Sequence, residues 1–209
     1  MRYPPFCLLF LLGYACAEAP SAGNETPARR KESILVVEPL TRIRATYQQT
    51  EAQLAAGDLR IDSLVYSCTE RGGTIYAYYA HEELRKLRHE HYYGDHGGQG
   101  EHYYFDDAEL LFTFFEVSSW SFTDPPSDLV YNGKNGPPTV DKFLQQRDYY
   151  HNGERIQRLF KAYEQYSWEP PVNPDTIPNL HAGTVLEPIA SPQLLLTQFA
   201  ASTVDCESF

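Results

Sequence analysis

The sequence predicts an α+β domain: one N-terminal amphipathic helix packed on a six- or seven-stranded antiparallel meander, with an extended Pro-rich C-terminal tail. Three observations carry this reading. Val36, Leu40, Ile43, Tyr47, Thr50 and Leu54 recur at steps of four and three, which marks one stripe of a helix. From Ile61 the pattern changes to short runs rich in aromatic and β-branched residues, broken by polar turns. Finally, Tyr78-Tyr79-Ala80-His81-Glu82-Glu83-Leu84 is echoed by Tyr149-Tyr150-His151-Asn152-Gly153-Glu154-Arg155. A third copy, Tyr103 to Leu110, carries one extra residue in its turn. Aromatics before a polar turn and an apolar-rich run after it are a hairpin signal, strongest at Asn152-Gly153, where both residues tolerate positive φ.

Taken in order, residues 1–17 read as a signal peptide. Arg2 supplies the positive start, Phe6 to Leu12 a short apolar run, and Ala15-Cys16-Ala17 the small residues at its end. Two cleavage sites fit. Cleavage before Glu18 makes an ordinary secreted chain. Alternatively, the short apolar run ending at a cysteine resembles a bacterial lipoprotein signal, which implies cleavage before Cys16, a lipid on Cys16 and anchoring to a membrane through it. Residues 18–32 are small, polar and charged, as in a flexible tether. The domain proper spans 33–168. Its helix covers about 38–56, with Pro39 near the first turn and Gly57 as the stop. Strands follow at about 62–68, 73–80, 83–92, 101–106, 109–120, 143–151 and 154–164, and Arg71-Gly72-Gly73 reads as a turn. Residues 123–139 form a long Pro/Gly/Asn loop. Residues 169–209 form the tail, in which the apolar segment 191–201 reads as a short helix or a docked tail.

Composition limits function. The chain has 209 residues with 17 Lys+Arg against 28 Asp+Glu, a net charge of −11, and such a field repels phosphate backbones. Nucleic acid is therefore not an expected partner. Beyond the N-terminal segment only Cys68 and Cys206 remain, and in an exported chain two cysteines suggest one disulfide. The sequence carries no GxSxG elbow, no P-loop and no GxGxxG, so neither a catalytic residue nor a cofactor is expected.

Two places attract functional interest. His89, His91, Asp95, His96 and His102 lie in one predicted hairpin. If residues 92–100 form its loop, His102 falls opposite His91, within reach of a shared Zn²⁺ or Cu²⁺. A solvated hairpin with polar residues on its outer face explains the same stretch. The aromatic residues Phe112, Phe114, Phe115, Trp120 and Phe122, with the tyrosine pairs, exceed what one face of a small sheet must bury, and some of them, Phe112, Phe114 and Trp120 first, could line a groove for a peptide, glycan or envelope protein. The competing explanation covers both sheet faces, one with the helix and the other with the tail.

The Tyr-Tyr-turn-Glu-Leu hairpins resemble those of uncharacterised exported proteins and lipoproteins of Gram-negative bacteria that place a helix before an antiparallel meander. More loosely, they are similar to the tandem hairpins of MORN-type repeat proteins. The resemblance covers about residues 40–165 and implies α+β architecture and export, without bringing a catalytic residue. The expected location is the periplasm or outer membrane as a lipoprotein, and otherwise secretion. The resulting expectation is a non-enzymatic binding or structural module of the cell envelope. The alternative is a metal-binding protein or metal-dependent enzyme centred on residues 89–102.

Overall fold

The computed structural model describes residues 27–129 and 136–209, with side chains from residue 38 onward. The expected signal peptide, Cys16 and most of the tether lie outside the described residues. Helix α1 (Pro27–Ala56) precedes strands β1 (Arg60–Ser67), β2 (Arg71–Ala80), β3 (Glu83–Tyr93), β4 (Gly97–Asp106), β5 (Glu109–Phe122), β6 (Thr139–His151) and β7 (Glu154–Tyr166). Helix α2 (Pro192–Ala201) lies in the tail, within a residue of its expected span. The seven strands form one antiparallel sheet in chain order, so the predicted meander is present. Among the described residues no helix is long and apolar enough to cross a membrane.

Local chemistry explains the ends of these elements, including those the sequence misplaced. Helix α1 begins at Pro27, inside the stretch expected as tether. Pro27 takes the first turn, where a missing N–H costs nothing, and Pro39 lies inside the helix instead. The helix stops at Gly57, whose φ of +76° allows a left-handed cap. There Gly57 N–H donates to the Leu54 carbonyl and Asp58 N–H to that of Gln53. Arg71-Gly72-Gly73 is not a turn but the start of β2, the turn being residues 68–70. Ser191 caps α2 by accepting from Leu194 N–H.

The sequence repeat corresponds to three equivalent hairpins, β2–β3, β4–β5 and β6–β7. Each has a two-residue turn with left-handed φ: His81 at +55°, Asp107 and Ala108 at +49° and +64°, Asn152 and Gly153 at +52° and +76°. Each also has a register shift between two aromatic residues: Tyr78/Tyr79, Tyr104/Phe105 and Tyr149/Tyr150. Tyr104, not Tyr103, is thus the counterpart of Tyr78 and Tyr149, and the apparent extra turn residue disappears. The glutamates after the turns tie the hairpins together. Glu83 accepts from Asp107 N–H at 3.2 Å, and Glu109 accepts from Asn152 N–H at 2.8 Å.

The sheet has two unlike faces, and each is covered by a different part of the chain. Ile75, Ala77, Leu87, Tyr103, Phe105 and Phe115 form the core on one face, closed by Leu186, Ala190 and Leu195 of the tail. The tail first bridges the β7 edge, where Phe160 and Leu180 exchange backbone hydrogen bonds at 2.9 Å. It then crosses the sheet and reaches β1 through a Cys68–Cys206 disulfide. The Pro-rich segment is therefore part of a strap, which closes the main core. Helix α1 sits on the other face, where Ile43 packs with Tyr104, Leu111 and Phe112. Its inner surface is partly polar, with Thr46 and Thr50 buried. Arg42 holds it to the β4–β5 turn through Asp106 at 2.8 Å and Glu109 at 3.3 Å.

Candidate functional site

The register of β3 against β4 decides the fate of the histidines. The turn between these strands is residues 94–96, not 92–100, so Gly97 already pairs with Tyr93. His89 therefore faces Glu101, His91 faces Gln99, and His102 faces Arg88. Since neighbours across a ladder share a face, His102 lies on the opposite side of the sheet from His89 and His91. The placement of His102 opposite His91 is thus overturned by a loop shorter than its glycines suggested. Asp95 and His96 remain at the exposed tip, 3.3 Å apart. The His96 ring lies 4.2 Å from Trp120, whose indole N–H donates to the Asp95 carbonyl at 2.8 Å. Among the described residues no group of three or more His, Cys, Asp or Glu side chains converges as a metal site, so these five are not brought together.

Beneath the strap, His89 and His91 join a buried hydrogen-bonded chain. Glu101 is wholly buried and accepts from His89 Nδ1 at 3.1 Å, Gln99 at 2.8 Å, Tyr103 at 3.1 Å, and from Ile189 N–H of the strap. With His89 Nδ1–H donating to the carboxylate, its Nε2 accepts from the Tyr66 hydroxyl at 2.7 Å. The Tyr66 oxygen in turn accepts from His91 Nδ1–H, also at 2.7 Å. Phe209 covers both histidines and Tyr66, its ring 5.1 Å from that of Tyr66. Burial, with the neighbouring His89 and Arg71 adding repulsion, lowers the His91 pKa to about 4, and burial raises that of Tyr66. The carboxylate–imidazole–hydroxyl order is that of a proton relay, yet His89 is fully buried, so no substrate atom can reach it. Its evident work is to satisfy polar groups under the strap.

The accessible chemistry lies on the helix face. Between α1 and strands β3–β6 runs a cleft of about 440 Å³, a size ordinary for small ligands. Tyr47 and Glu51, one turn apart on α1, form one wall; Tyr104, Phe112, Phe114 and Tyr149 form the aromatic floor. Tyr47 lies 5.1 Å from Tyr104 and 5.6 Å from Phe112, and Phe112 lies 5.0 Å from Tyr149. Lys86 is buried in this wall. Its Nζ donates to Glu51 at 2.7 Å, as does the Tyr104 hydroxyl at 2.9 Å, and the ammonium lies 4.9 Å from the Tyr104 ring. Burial lowers the Lys86 pKa against the opposing pull of Glu51. His102 projects between Lys86 and Arg88, and burial together with those two cations lowers its pKa to about 3. A shallower groove of about 270 Å³ continues from His102 and Phe114 over Gly98 and Gly100.

Phe112 and Phe114, expected to line a groove, do line this cleft; Trp120, on the same strand, stands instead at the β3–β4 tip. Tyr104 and Tyr149 belong to the tyrosine pairs weighed as groove aromatics, whereas Glu51, Lys86 and Arg147 were not singled out in the sequence and Tyr47 was read only as part of the helix stripe. A partial signal existed, because Tyr104 and Tyr149 are equivalent positions of the hairpin repeat. Their meeting with Lys86 and Arg147 depends on strand register, which pattern alone does not supply. No protein-family model, curated protein or solved structure matches the chain.

Proposed function

We propose that this chain is an exported, non-enzymatic binding module of the bacterial cell envelope, and that the cleft between α1 and the sheet is its working site. The observation that carries the reading is a partly open cavity lined by aromatic rings and by Lys86, Arg147 and His102, in a chain with no recognisable catalytic motif. The N-terminal signal, the resemblance to exported hairpin proteins and the Cys68–Cys206 disulfide support export. Lipid attachment at Cys16 would place the module at a membrane surface, with an envelope protein, a peptide or a glycan among its candidate partners.

A neutral dye tests the cleft. Nile red emission should rise and shift to the blue with the native protein. Gln48→Trp, at an exposed rim position, should fill the cavity and remove most of that response without altering circular dichroism. An unchanged response in Gln48→Trp, or none in the native protein, would remove the cleft as the binding site.

A further inference from the structure

We infer that the cleft is selective for a small aromatic monocarboxylate, a reading that rests on the cleft being the binding site. The rings set the body of the ligand. Tyr47, Tyr104, Phe112 and Tyr149 form a contiguous aromatic surface on which a flat ring stacks or packs edge-on. The charges set its sign and magnitude. Lys86 is already neutralised by Glu51. Arg44 and Arg147 line the same cleft with no carboxylate at ion-pair distance among the described residues, and Asp175 is the remaining acid there. One unbalanced positive charge matches a monoanion, and Asp175 disfavours a dianion such as a phosphate monoester.

Arg147 is the central group. One of its terminal nitrogens, Nη2, donates to Gln145 at 2.9 Å, and the guanidinium lies 5.0 Å from the Phe114 ring. The other, Nη1, is buried and has no hydrogen-bond partner. A covered donor without a partner is costly, so the partly exposed guanidinium gains a bond when it turns to present that group to a carboxylate in the cleft. The guanidinium on Phe114 also extends the flat surface over which an aromatic acid lies. His102, uncharged near neutrality, contributes hydrogen bonding at the inner end without a second positive charge.

Calorimetric titration with 1-naphthoate and with its uncharged analogue 1-naphthalenemethanol tests this. The native protein should bind the acid about tenfold or more tightly than the alcohol. Arg147→Gln should weaken the acid about tenfold while shifting the alcohol less than about threefold. Arg147→Lys, which keeps the charge, should recover part of the loss, and Arg155→Gln, exposed on β7, should change neither. Equal binding of the two probes, or an unchanged acid affinity in Arg147→Gln, would overturn the carboxylate and leave the cleft standing. Failure of both probes while Nile red still responds would overturn the aromatic acid alone. Failure of all three ligands would remove the cleft reading as well.

Discussion

Individual side chains acquire their roles here from the face they occupy. His91 and His102 are both held neutral, the first by burial under Phe209 and beside His89 and Arg71, the second by burial beside Lys86 and Arg88. The sign of the consequence follows from proton counting. Below the ordinary histidine pKa of about 6.5 the unfolded chain protonates both imidazoles, whereas the folded chain resists until about pH 4 and about pH 3. Stability is therefore complete above about pH 7 and falls as the solution is acidified, by on the order of 2 kcal/mol for each group. Guanidinium unfolding midpoints at pH 7 and pH 4.5 should differ accordingly, and His102→Gln should narrow the gap. An equal gap in that variant would assign the acid sensitivity to other groups.

At the level of elements, the hairpin repeat explains more than its own turns. The first aromatic of each copy (Tyr78, Tyr104, Tyr149) points to the helix face, and the second (Tyr79, Phe105, Tyr150) to the strap face, with the register shift between them. Three copies therefore set a row of tyrosines along one side, two of which become the cleft floor. The pairing β1–β2–β3 adds a different constraint. Tyr66 pairs with Gly73, which pairs with His91, and the Tyr66 ring crosses the glycine to reach both histidines. A Cβ on Gly73 would lie 2.7 Å from the Tyr66 hydroxyl and would collide with the Glu90 carbonyl. Gly73→Ala should cost about 2–4 kcal/mol or prevent folding, by the same denaturant assay. A midpoint within about 0.5 kcal/mol of native would mean that Tyr66 does not cross β2.

For the whole molecule, the strap and the disulfide decide whether one face of the sheet is closed. Cys68 and Cys206 are 138 residues apart, and joining them limits the unfolded chain by about 5 kcal/mol in the chain-entropy account. Reduction, or Cys68→Ser with Cys206→Ser, should lower stability by a few kcal/mol and let protease cut first between residues 167 and 209. Unchanged proteolysis would show that Leu186, Ala190 and Leu195 hold the strap unaided. The proposed export belongs to this scale too. Intact mass of the chain expressed with its own N-terminus in a Gram-negative host should correspond to a start at Cys16 with lipid or at Glu18 without it. A mass that retains Met1 would overturn export.

By itself the sequence determined the fold class and the approximate places of the seven strands, and it left Cys68 and Cys206 as the one available disulfide pair and 191–201 as a helix or a docked tail. Local signals suffice for these: period-2 runs, positive-φ turn residues and a pair of lone cysteines each act over a few residues or admit one solution. Only the tertiary structure decided which side chains meet. The β3–β4 register sent His102 away from His91, and α1 closed a cleft over Tyr104 and Tyr149. The strap turned an unpatterned Pro-rich segment into the cover of a core. A shift of one residue in a strand exchanges its faces, and a long segment without periodicity carries no local record of where it lands. Side-chain meetings of that kind are settled by packing across the whole molecule.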